Sequence, residues 1–252
     1  MKEDDAQREG WYRRAFGELY LLVYSHRNED LAQREIDFLL QKLNLPTGSW
    51  VLDLCCGSGR HLRFLRKAGL CAVGLDLSSA LLSEAASKRG LRGALVRGDM
   101  RHLPFERTFK CVLNLFSSFG YFASDRENER ALREMVRVLE PGGWLVVDHI
   151  NRPYLERTLV PRSEEEFPEG RLVQERRISG KRVEKEITWI RKGEEPLHVH
   201  ESVRVYTRTE LEELLQRFGL EVKWWWGGFE AQPLAAHSPR MIAVARKPCA
   251  SQ

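Results

Sequence analysis

The chain has 252 residues, of which 42% are hydrophobic and 30% charged, which is typical of a globular protein with one substantial core and room for a small satellite. Its net charge of +4 is the small difference between 40 basic and 36 acidic residues, so charge neither demands nor excludes an anionic partner. No apolar run approaches the length of a membrane span, and the start, Met1 to Asp5, lacks the apolar segment of a signal peptide. We therefore expect a cytoplasmic protein with no membrane partner.

The cysteines and histidines do not predict a metal site. None of the five cysteines forms a C-x-x-C pair, and four of them lie in or beside predicted buried strands, as structural thiols of a reducing compartment do. His198 and His200 share one face of a predicted strand, but no third ligand accompanies them. We expect no bound metal.

The N-terminal part of the chain is predicted to be helical. Residues 11–24 are rich in aromatic side chains at roughly helical spacing, residues 28–43 continue as an amphipathic helix, and residues 25–27 link the two. The spacing alone indicates that Tyr20 and Tyr24 pack in the core.

Strand and helix patterns then alternate. The predicted strands are 50–56, 71–76, 93–97, 109–116 and 143–150, and the predicted helices are 59–68, 79–89 and 124–139. Strands separated by helices require right-handed crossovers, so the pattern predicts an α/β fold with a largely parallel sheet.

The stretch Val51 to Arg60 combines a buried strand, a tight turn and a helix start. Gly57 and Gly59 let the chain reverse sharply and let a ligand approach bare backbone. A dinucleotide-binding fingerprint would place a third glycine where Leu62 stands, so this turn does not predict a pyrophosphate site.

Two carboxylates near the turn indicate what it binds. Asp53, four residues before Gly57, would repel a phosphate and attract an ammonium group. Asp76 ends the next strand, at a spacing suited to accepting hydrogen bonds from ribose hydroxyls. A ligand with a ribose, a cationic amino-acid end and no phosphate fits both acids, and S-adenosylmethionine is the common metabolite of that description.

Further candidates follow the third and fourth strands. Asp99 and Met100 lie at the same predicted sheet edge, where they can hydrogen-bond an adenine amino group and pack on its ring; the alternative is that Asp99 caps a loop. The loop from Asn114 to Phe122 is aromatic, and we expect it beside the reacting methyl group.

Residues 151–206 differ in character from the rest. Three stretches with period-2 alternation, 171–178, 182–190 and 197–206, predict a small antiparallel insertion. It leaves the carboxyl end of a parallel strand, so it can cover the pocket as a substrate lid. We interpret the charge runs 164–166 and 181–186 as solvated surface.

The C-terminal part returns to the sheet. Thr207 and Glu210 form a predicted capping box, and the three tryptophans of strand 220–226 are predicted core residues. If that strand is parallel to the others, loop 227–238 emerges on the ligand edge before the last strand, 240–245. Its secondary substrate candidates are Phe229, Glu230 and His237.

With these residues laid out, the chain resembles class I S-adenosylmethionine-dependent methyltransferases over almost its whole length. The segments that carry the resemblance are Val51 to Gly59, Leu75 to Ser78, Gly98 to Met100 and Leu139 to Gly143. Tyr20 to Arg27 and Phe116 to Tyr121 are similar to stretches of small-molecule methyltransferases that dimethylate amino groups of nucleotide-linked sugars.

The resemblance implies a Rossmann-like, seven-stranded, mostly parallel sheet with helices on both faces and only its last strand antiparallel. It assigns residues 1–150 and 207–252 to the methyltransferase domain, including an N-terminal helical cap, and 151–206 to the insertion.

The resemblance also implies roles for individual residues. The turn at Gly57 and Gly59 and the backbone of Cys55 would hold the methionine part, with Asp53 near its ammonium group. The other implied cofactor contacts are Asp76 with Leu77 at the ribose, Asp99 and Met100 at the adenine, Leu115 at the sulfonium, and Tyr24 with Arg27 at the methionine carboxylate. For Tyr24 this replaces the core role that spacing alone indicates.

The predicted function is methyl transfer from S-adenosylmethionine to a small-molecule acceptor, with an amine favoured. A neutral amine attacks without a strong base, whereas a hydroxyl needs one, for which Tyr121 and His149 are the candidates. The alternatives are an RNA methyltransferase, a nucleotide-dependent oxidoreductase and a protein that binds S-adenosylmethionine without catalysis. Nucleic acid is disfavoured because no basic strip with interleaved aromatics is present and Asn114 is followed by Leu115 and Phe116, not by prolines. The oligomeric state is left open, a homo-oligomer included.

Overall fold

The structure, a computed structural model, describes residues 11–23 and 29–249. Its helices are α1 (Tyr12–Ala15), α2 (Glu18–Val23), α3 (Glu29–Leu43), α4 (Arg60–Lys67), α5 (Ser79–Arg89), α6 (Asp125–Val138), α7 (Arg152–Thr158) and α8 (Arg208–Arg217), with a 3₁₀ turn at Arg92–Ala94. Its strands are β1 (Trp50–Leu54), β2 (Cys71–Asp76), β3 (Leu95–Arg97), β4 (Phe109–Asn114), β5 (Leu139–Ile150), β6 (Arg162–Phe167), β7 (Gly170–Ser179), β8 (Arg182–Ile190), β9 (Leu197–Arg204), β10 (Glu221–Trp226) and β11 (Arg240–Arg246).

Seven strands form one sheet in the order β10-β11-β5-β4-β1-β2-β3. Strands β1 to β5 pair in parallel, and β11 pairs antiparallel with both β5 and β10. The carboxyl ends of six strands therefore share one edge, and only β11 runs the other way. The predicted α/β fold with one antiparallel strand is confirmed.

The central strands are buried on both faces. In β1, Val51 and Leu52 point to opposite sides of the sheet and neither is exposed to solvent. Such near-continuous apolar strands are expected where helices cover both faces of a parallel sheet. A carboxylate in these strands is consequently taken out of water.

The insertion is a separate sheet in the order β6-β7-β8-β9, with every neighbour antiparallel, and we call it the small sheet. Its inner face buries Leu172, Ile187 and Trp189 against Leu19 and Val23 of α2. The backbone amide of Arg204 in β9 donates to Gly120 O at 2.8 Å. This hydrogen bond fixes the small sheet to the loop after β4.

Two predictions for the insertion are wrong in part. It contains four strands and a helix, whereas three strands were predicted. In the charge run 181–186, interpreted as solvated surface, the side chains of Glu184 and Lys185 are only 13% and 12% exposed. The other charge run, 164–166, lies in the unpredicted strand β6. The side chains of β6 are indeed mostly exposed, but its backbone pairs with β7 at the edge of the small sheet. A one-sided edge strand needs no apolar alternation, so the run of glutamates concealed it.

The tryptophan strand is also different from its prediction. β10 is an edge strand, and its register with β11 shifts between Val222 and Trp224. Trp226 is buried, whereas Trp224 is 39% exposed and stacks on Trp144 at 5.3 Å between ring centroids. Ring stacking at the sheet edge therefore replaces the predicted core position.

Two boundaries differ as well. The predicted helix over 11–24 is broken at Phe16, which leaves helical geometry with ψ of 57° and separates α1 from α2. β5 begins at Leu139, four residues before its predicted start, because Leu139 pairs with Phe109 before Gly142 shifts the register. The capping box of Thr207 and Glu210 is present as predicted.

Within residues 11–23 and 29–249, no helix is long and apolar enough to cross a membrane.

We predict that Gly59→Ala destabilises the fold beyond the cost of its backbone angle. Gly59 has φ of 76°, and an added Cβ would lie 2.6 Å from Leu91 Cδ1 and 3.1 Å from Ala85 Cβ. Gly90 has φ of 66° with nothing within 4 Å, so Gly90→Ala isolates the backbone term. In urea unfolding, Gly59→Ala should lose about 1–3 kcal/mol more than Gly90→Ala, the usual cost of overpacking. Equal losses would contradict the close packing of α5 on the turn.

Candidate functional site

The turn after β1 uses left-handed backbone at three positions. Cys55, Gly57 and Gly59 have φ of 62°, 54° and 76°. For Cys55, which is not a glycine, this conformation costs about 1–2 kcal/mol. Its amide donates to Leu75 O at 2.7 Å, so the turn is pulled towards the end of β2. Such strain is found where function requires a fixed backbone.

Asp76 holds the turn in place. Gly57 N donates to one oxygen of its carboxylate at 2.8 Å, and Ser78 N donates to the other at 2.8 Å. Burial raises the pKa of Asp76, although these two hydrogen bonds lower it in part. Each carboxylate oxygen has further acceptor capacity. Asp76 therefore shapes the turn and still offers acceptors to a ligand.

Asp53 is a buried carboxylate with one oxygen unused. Its pKa is raised to about 6, chiefly by burial and in part by the nearby Asp76, although His61 and Arg60 oppose this rise. Its Oδ2 accepts no hydrogen bond from any residue that the structure describes. An orphaned buried acceptor costs free energy unless a partner arrives, and a cationic donor would be the best partner.

Three cavities meet at this edge of the sheet. The inner cavity is bounded by Leu75, Asp76, Leu77, Asp99 and Met100, together with Tyr12, Phe16, Tyr121 and Phe122. The turn cavity is bounded by Asp53, Ser58, Arg60, His61 and Leu115. Cys55, Gly57, Tyr20 and Ser118 line both, so the two cavities are continuous around the glycine turn.

Asp99 is engaged by a neighbouring cation. The Arg101 guanidinium donates to both carboxylate oxygens, at 2.6 Å from Nη2 and 3.1 Å from Nε. Burial raises the pKa of Asp99, but Arg101 outweighs it and leaves this pKa below its usual value. Asp99 is thus ionised and held at the rim of the inner cavity.

The loop after β4 is strained and firmly held. Phe116 and Ser117 both have φ of 57°, an unusual angle for residues other than glycine. Phe116 N donates to Asp148 Oδ2 at 2.7 Å, and Ser117 N donates to Asp148 O at 2.9 Å. Asp148 is fully buried at the carboxyl end of β5, so it is a rigid anchor for both amides.

A buried network completes this anchor. Arg240 Nε donates to Asp148 Oδ1 at 2.9 Å, and its Nη1 donates to Glu35 Oε1 at 3.2 Å. The other oxygen of Glu35 lies 2.7 Å from His61 Nε2. The guanidinium also lies 4.3 Å from the centre of the Phe116 ring. Helices α3 and α4 and strands β5 and β11 are therefore linked through Arg240 and Glu35, beside the ring of Phe116.

Phe116 lines both the turn cavity and a third, larger outer cavity. The outer cavity lies between the main sheet and the small sheet. One wall carries Trp11, Phe16, Tyr20, Phe116 and Tyr121, and the other carries Gln174, Arg176, Lys185 and Glu201. Since Phe116 lines two cavities, together with Tyr20 and Arg60, it is part of the partition between them.

The two predicted base candidates occupy different environments. Tyr121 lines the inner and outer cavities, packed on Trp11 and Phe16 at 5.1 and 5.6 Å between ring centroids. His149 lines the outer cavity, but its Nε2 accepts from the amide of Tyr206 at 3.2 Å. Burial lowers the pKa of His149 to about 4, and Arg204 lowers it as well. That environment suits a neutral structural imidazole better than a general base.

Most predicted cofactor residues converge, with three exceptions. Gly59 lines none of these cavities and packs on α5 instead, while Tyr24 and Arg27 lie outside the described residues. Sequence reasoning missed Tyr20, which was predicted as core but lines all three cavities. It also missed Asp148 and Arg240, for which no local motif gave a signal.

The predicted secondary candidates of loop 227–238 are only partly near this site. The ring centre of Phe229 lies 5.1 Å from the Arg240 guanidinium.

His198 and His200 face Thr188 and Glu186 across the strands of the small sheet. No described group of three or more His, Cys, Asp or Glu could hold a metal ion.

Comparison with known proteins shows what this chain is similar to. Residues 51–143 match the model of the methyltransferase domain. The chain is 36% identical over 132 residues to the dTDP-3-amino-3,4,6-trideoxy-alpha-D-glucopyranose N,N-dimethyltransferase of Streptomyces venezuelae, covering 52% of this chain and 55% of that one. It is 29% identical over 203 residues to the cypemycin N-terminal methyltransferase of a Streptomyces species, covering 78% and 82%. The chain spans about half the length of the first three curated relatives it matches.

Solved structures agree on the fold. Streptomyces venezuelae DesVI superposes with a TM-score of 0.65 at 26% identity, covering 91% of this chain and 97% of that one. A methyltransferase from Clostridium acetobutylicum superposes with a TM-score of 0.77 at 20% identity, covering 90% and 95%. The chain thus contains a stretch that matches the methyltransferase domain, within a fold that it shares with solved methyltransferases. Among its relatives are N,N-dimethyltransferases of dTDP-linked amino sugars.

The site fits S-adenosylmethionine. Asp53, whose buried Oδ2 has no described hydrogen-bond partner, lines the turn cavity, where an ammonium group would satisfy it. Asp76, Asp99 and Met100 line the adjoining inner cavity, which suits a nucleoside. The individual contacts stay predictions.

We predict that Asp53 makes cofactor affinity depend on pH. The carboxylate is charged above its pKa of about 6, whereas an α-amino group stays protonated below about pH 8, so their attraction is lost on acidification. Titration calorimetry should show S-adenosylmethionine binding about tenfold more weakly at pH 5 than at pH 7. Asp53→Asn should bind weakly at both pH values, with no pH dependence. A wild-type affinity that is the same at both pH values would remove Asp53 from the ammonium contact.

Proposed function

We propose that the protein transfers a methyl group from S-adenosylmethionine to an amine of a small-molecule acceptor. The observation that carries the proposal is the partition at Phe116, with the inner and turn cavities on one side and the outer cavity, which has an aromatic wall and a charged wall, on the other. A reaction of two bound molecules requires two such compartments that meet at one point.

S-adenosylmethionine, when bound, supplies a methyl group on a positively charged sulfur. The chain's own residues then align the two molecules and exclude water. Asp53 would hold the amino-acid end, and the backbone at Leu115, just before the strained loop, would lie near the sulfur. The fixed amides of Phe116 and Ser117 keep this region from shifting.

An amine acceptor agrees with the chemistry of the outer cavity. Among the predicted bases, His149 has a pKa of about 4 because it is buried, so it is a weak base at neutral pH. A neutral amine needs no such base before attack, whereas a hydroxyl does. The names of three relatives agree with an amine, since two of these proteins are N,N-dimethyltransferases of amino sugars and the third is an N-terminal methyltransferase.

The lid role of the small sheet belongs to the same proposal. Arg182 Nη1 donates to Phe122 O at 3.0 Å, and Trp11 Nε1 donates to Tyr121 O at 3.2 Å. The first bond holds the aromatic loop under the small sheet, and the second fixes the same loop to the N-terminal segment. Acceptor specificity would then depend on residues of 151–206, which we assign as the substrate-covering unit.

We predict that the protein forms S-adenosylhomocysteine with amine acceptors. The assay should include a dTDP-linked amino sugar, a peptide with a free N-terminus, the hydroxyl analogue of the sugar, and RNA. Turnover is expected with at least one amine and with neither the hydroxyl analogue nor RNA. Tyr121→Phe should lose less than the roughly 10²–10⁴-fold that removal of a general base costs.

Two outcomes oppose this proposal. Turnover of RNA alone would favour the nucleic-acid alternative. Tight binding of S-adenosylmethionine by calorimetry without turnover of any acceptor would favour a non-catalytic binding protein.

A further inference from the structure

Arg240 lines the outer cavity, but its guanidinium is engaged by the protein itself. Nε and Nη2 donate to the two carboxylate oxygens of Asp148, and Nη1 donates to Glu35 Oε1 at 3.2 Å. The ring centres of Phe116 and Phe229 lie 4.3 and 5.1 Å from the guanidinium carbon. Since each of its three nitrogens donates to a buried acid, Arg240 is better suited to holding other residues in place than to binding an acceptor.

The segment nearest to Arg240 is strained backbone. Phe116 and Ser117 are successive residues with φ of 57°, in a region that residues other than glycine rarely adopt. Such angles persist only where the surroundings enforce them. Here Asp148 enforces both, because its Oδ2 accepts from Phe116 N at 2.7 Å and its carbonyl oxygen accepts from Ser117 N at 2.9 Å.

Asp148 depends on Arg240 in its turn. Its side chain is 1% exposed, and a carboxylate at that depth is stable in its charged form only with a partner. Arg240 supplies the cation through two parallel hydrogen bonds, the geometry in which a guanidinium holds a carboxylate most firmly. Without it, the carboxylate would be a weaker and less fixed acceptor for the Phe116 amide.

The held backbone lies beside the proposed reaction. Leu115 and Phe116 line the turn cavity, and Phe116 also lines the outer cavity. Relaxation of Phe116 and Ser117 to ordinary angles would move both side chains relative to the glycine turn. Transfer between two bound molecules is sensitive to such shifts, since a misplacement of about 1 Å can cost about 100-fold in rate.

We propose that Arg240 is a positioning residue for methyl transfer, which acts through Asp148 on the backbone of Phe116 and Ser117. It sets the rate of transfer and contributes little to cofactor affinity, because Asp53 and Asp76 belong to other strands, β1 and β2. This proposal rests on the proposed function, since methyl transfer is the step that Arg240 serves.

The first test needs no turnover. Amide hydrogen exchange, resolved to single residues by NMR, is compared between wild type and Arg240→Gln. The amides of Phe116 and Ser117 should exchange about tenfold faster or more in the variant, the usual worth of a charge-assisted hydrogen bond. The Cys55 amide, which donates to Leu75 O at 2.7 Å, should keep its wild-type rate and so report that the sheet is intact.

Arg246→Gln is the matched control. Arg246 ends the same strand, donates to Gly142 O at 3.3 Å, and lies 5.0 Å from the ring centre of Trp144. Unchanged exchange at Phe116 and Ser117 in Arg240→Gln overturns the proposal. Equal acceleration at Cys55, or the same acceleration in Arg246→Gln, also overturns it, because the arginine would then stabilise the sheet in general.

The second test uses whichever amine is turned over in the S-adenosylhomocysteine assay. Arg240→Gln should lower kcat about tenfold or more, while KM for the amine and the calorimetric Kd of S-adenosylmethionine change less than about threefold. Arg240→Lys keeps the charge but not the planar fork, so it should recover part of the lost kcat.

Two kinetic results overturn the proposal. One is an unchanged kcat, and the other is a raised KM at constant kcat, which would make Arg240 an acceptor-binding residue. If no amine is turned over, the proposed function is in question, while hydrogen exchange at Phe116 and Ser117 still decides whether Arg240 holds this backbone.

Discussion

The carboxylate of Asp76 is the contact on which the site depends. Its two oxygens accept from Gly57 N and Ser78 N, so one side chain fixes the glycine turn against the start of α5. Asp53 is buried beside the turn cavity, and one of its carboxylate oxygens has no described hydrogen-bond partner. Two buried acids near one turn make the pocket hostile to a diphosphate and favourable to a ligand with a cationic end. The choice of cofactor follows from this local electrostatics.

Phe116 lies between the turn cavity and the outer cavity, where we propose that the acceptor binds. Its backbone is held in a left-handed conformation by Asp148, and its ring lies beneath the guanidinium of Arg240. Arg240 also donates a hydrogen bond to Glu35, and Glu35 lies within hydrogen-bonding distance of His61. A movement of helix α3 or of strand β11 would therefore displace the partition. The small sheet closes the far side of the outer cavity. The glycine turn would thus place the methyl donor and the small sheet would cover the acceptor, and the two sites adjoin at the partition that includes Phe116.

The sequence predicts the fold well where local signals are strong. Periodicity placed β2 and α5 at the residues where the structure has them, and the Thr207 capping box is present. It failed for β6, where an exposed edge strand carries glutamates, and for Trp224, where ring stacking at the sheet edge replaced burial. Glu35 and Arg240 are 205 residues apart in the chain, so no local sequence pattern could predict that they pair.

The most direct measurement is a pair of calorimetric titrations of the wild-type protein at neutral pH, one with S-adenosylmethionine and one with NAD. We expect saturable binding of S-adenosylmethionine and none of NAD, because the Asp53 carboxylate attracts an ammonium group and repels a diphosphate. Saturable binding of NAD without binding of S-adenosylmethionine would contradict the electrostatic basis of cofactor choice.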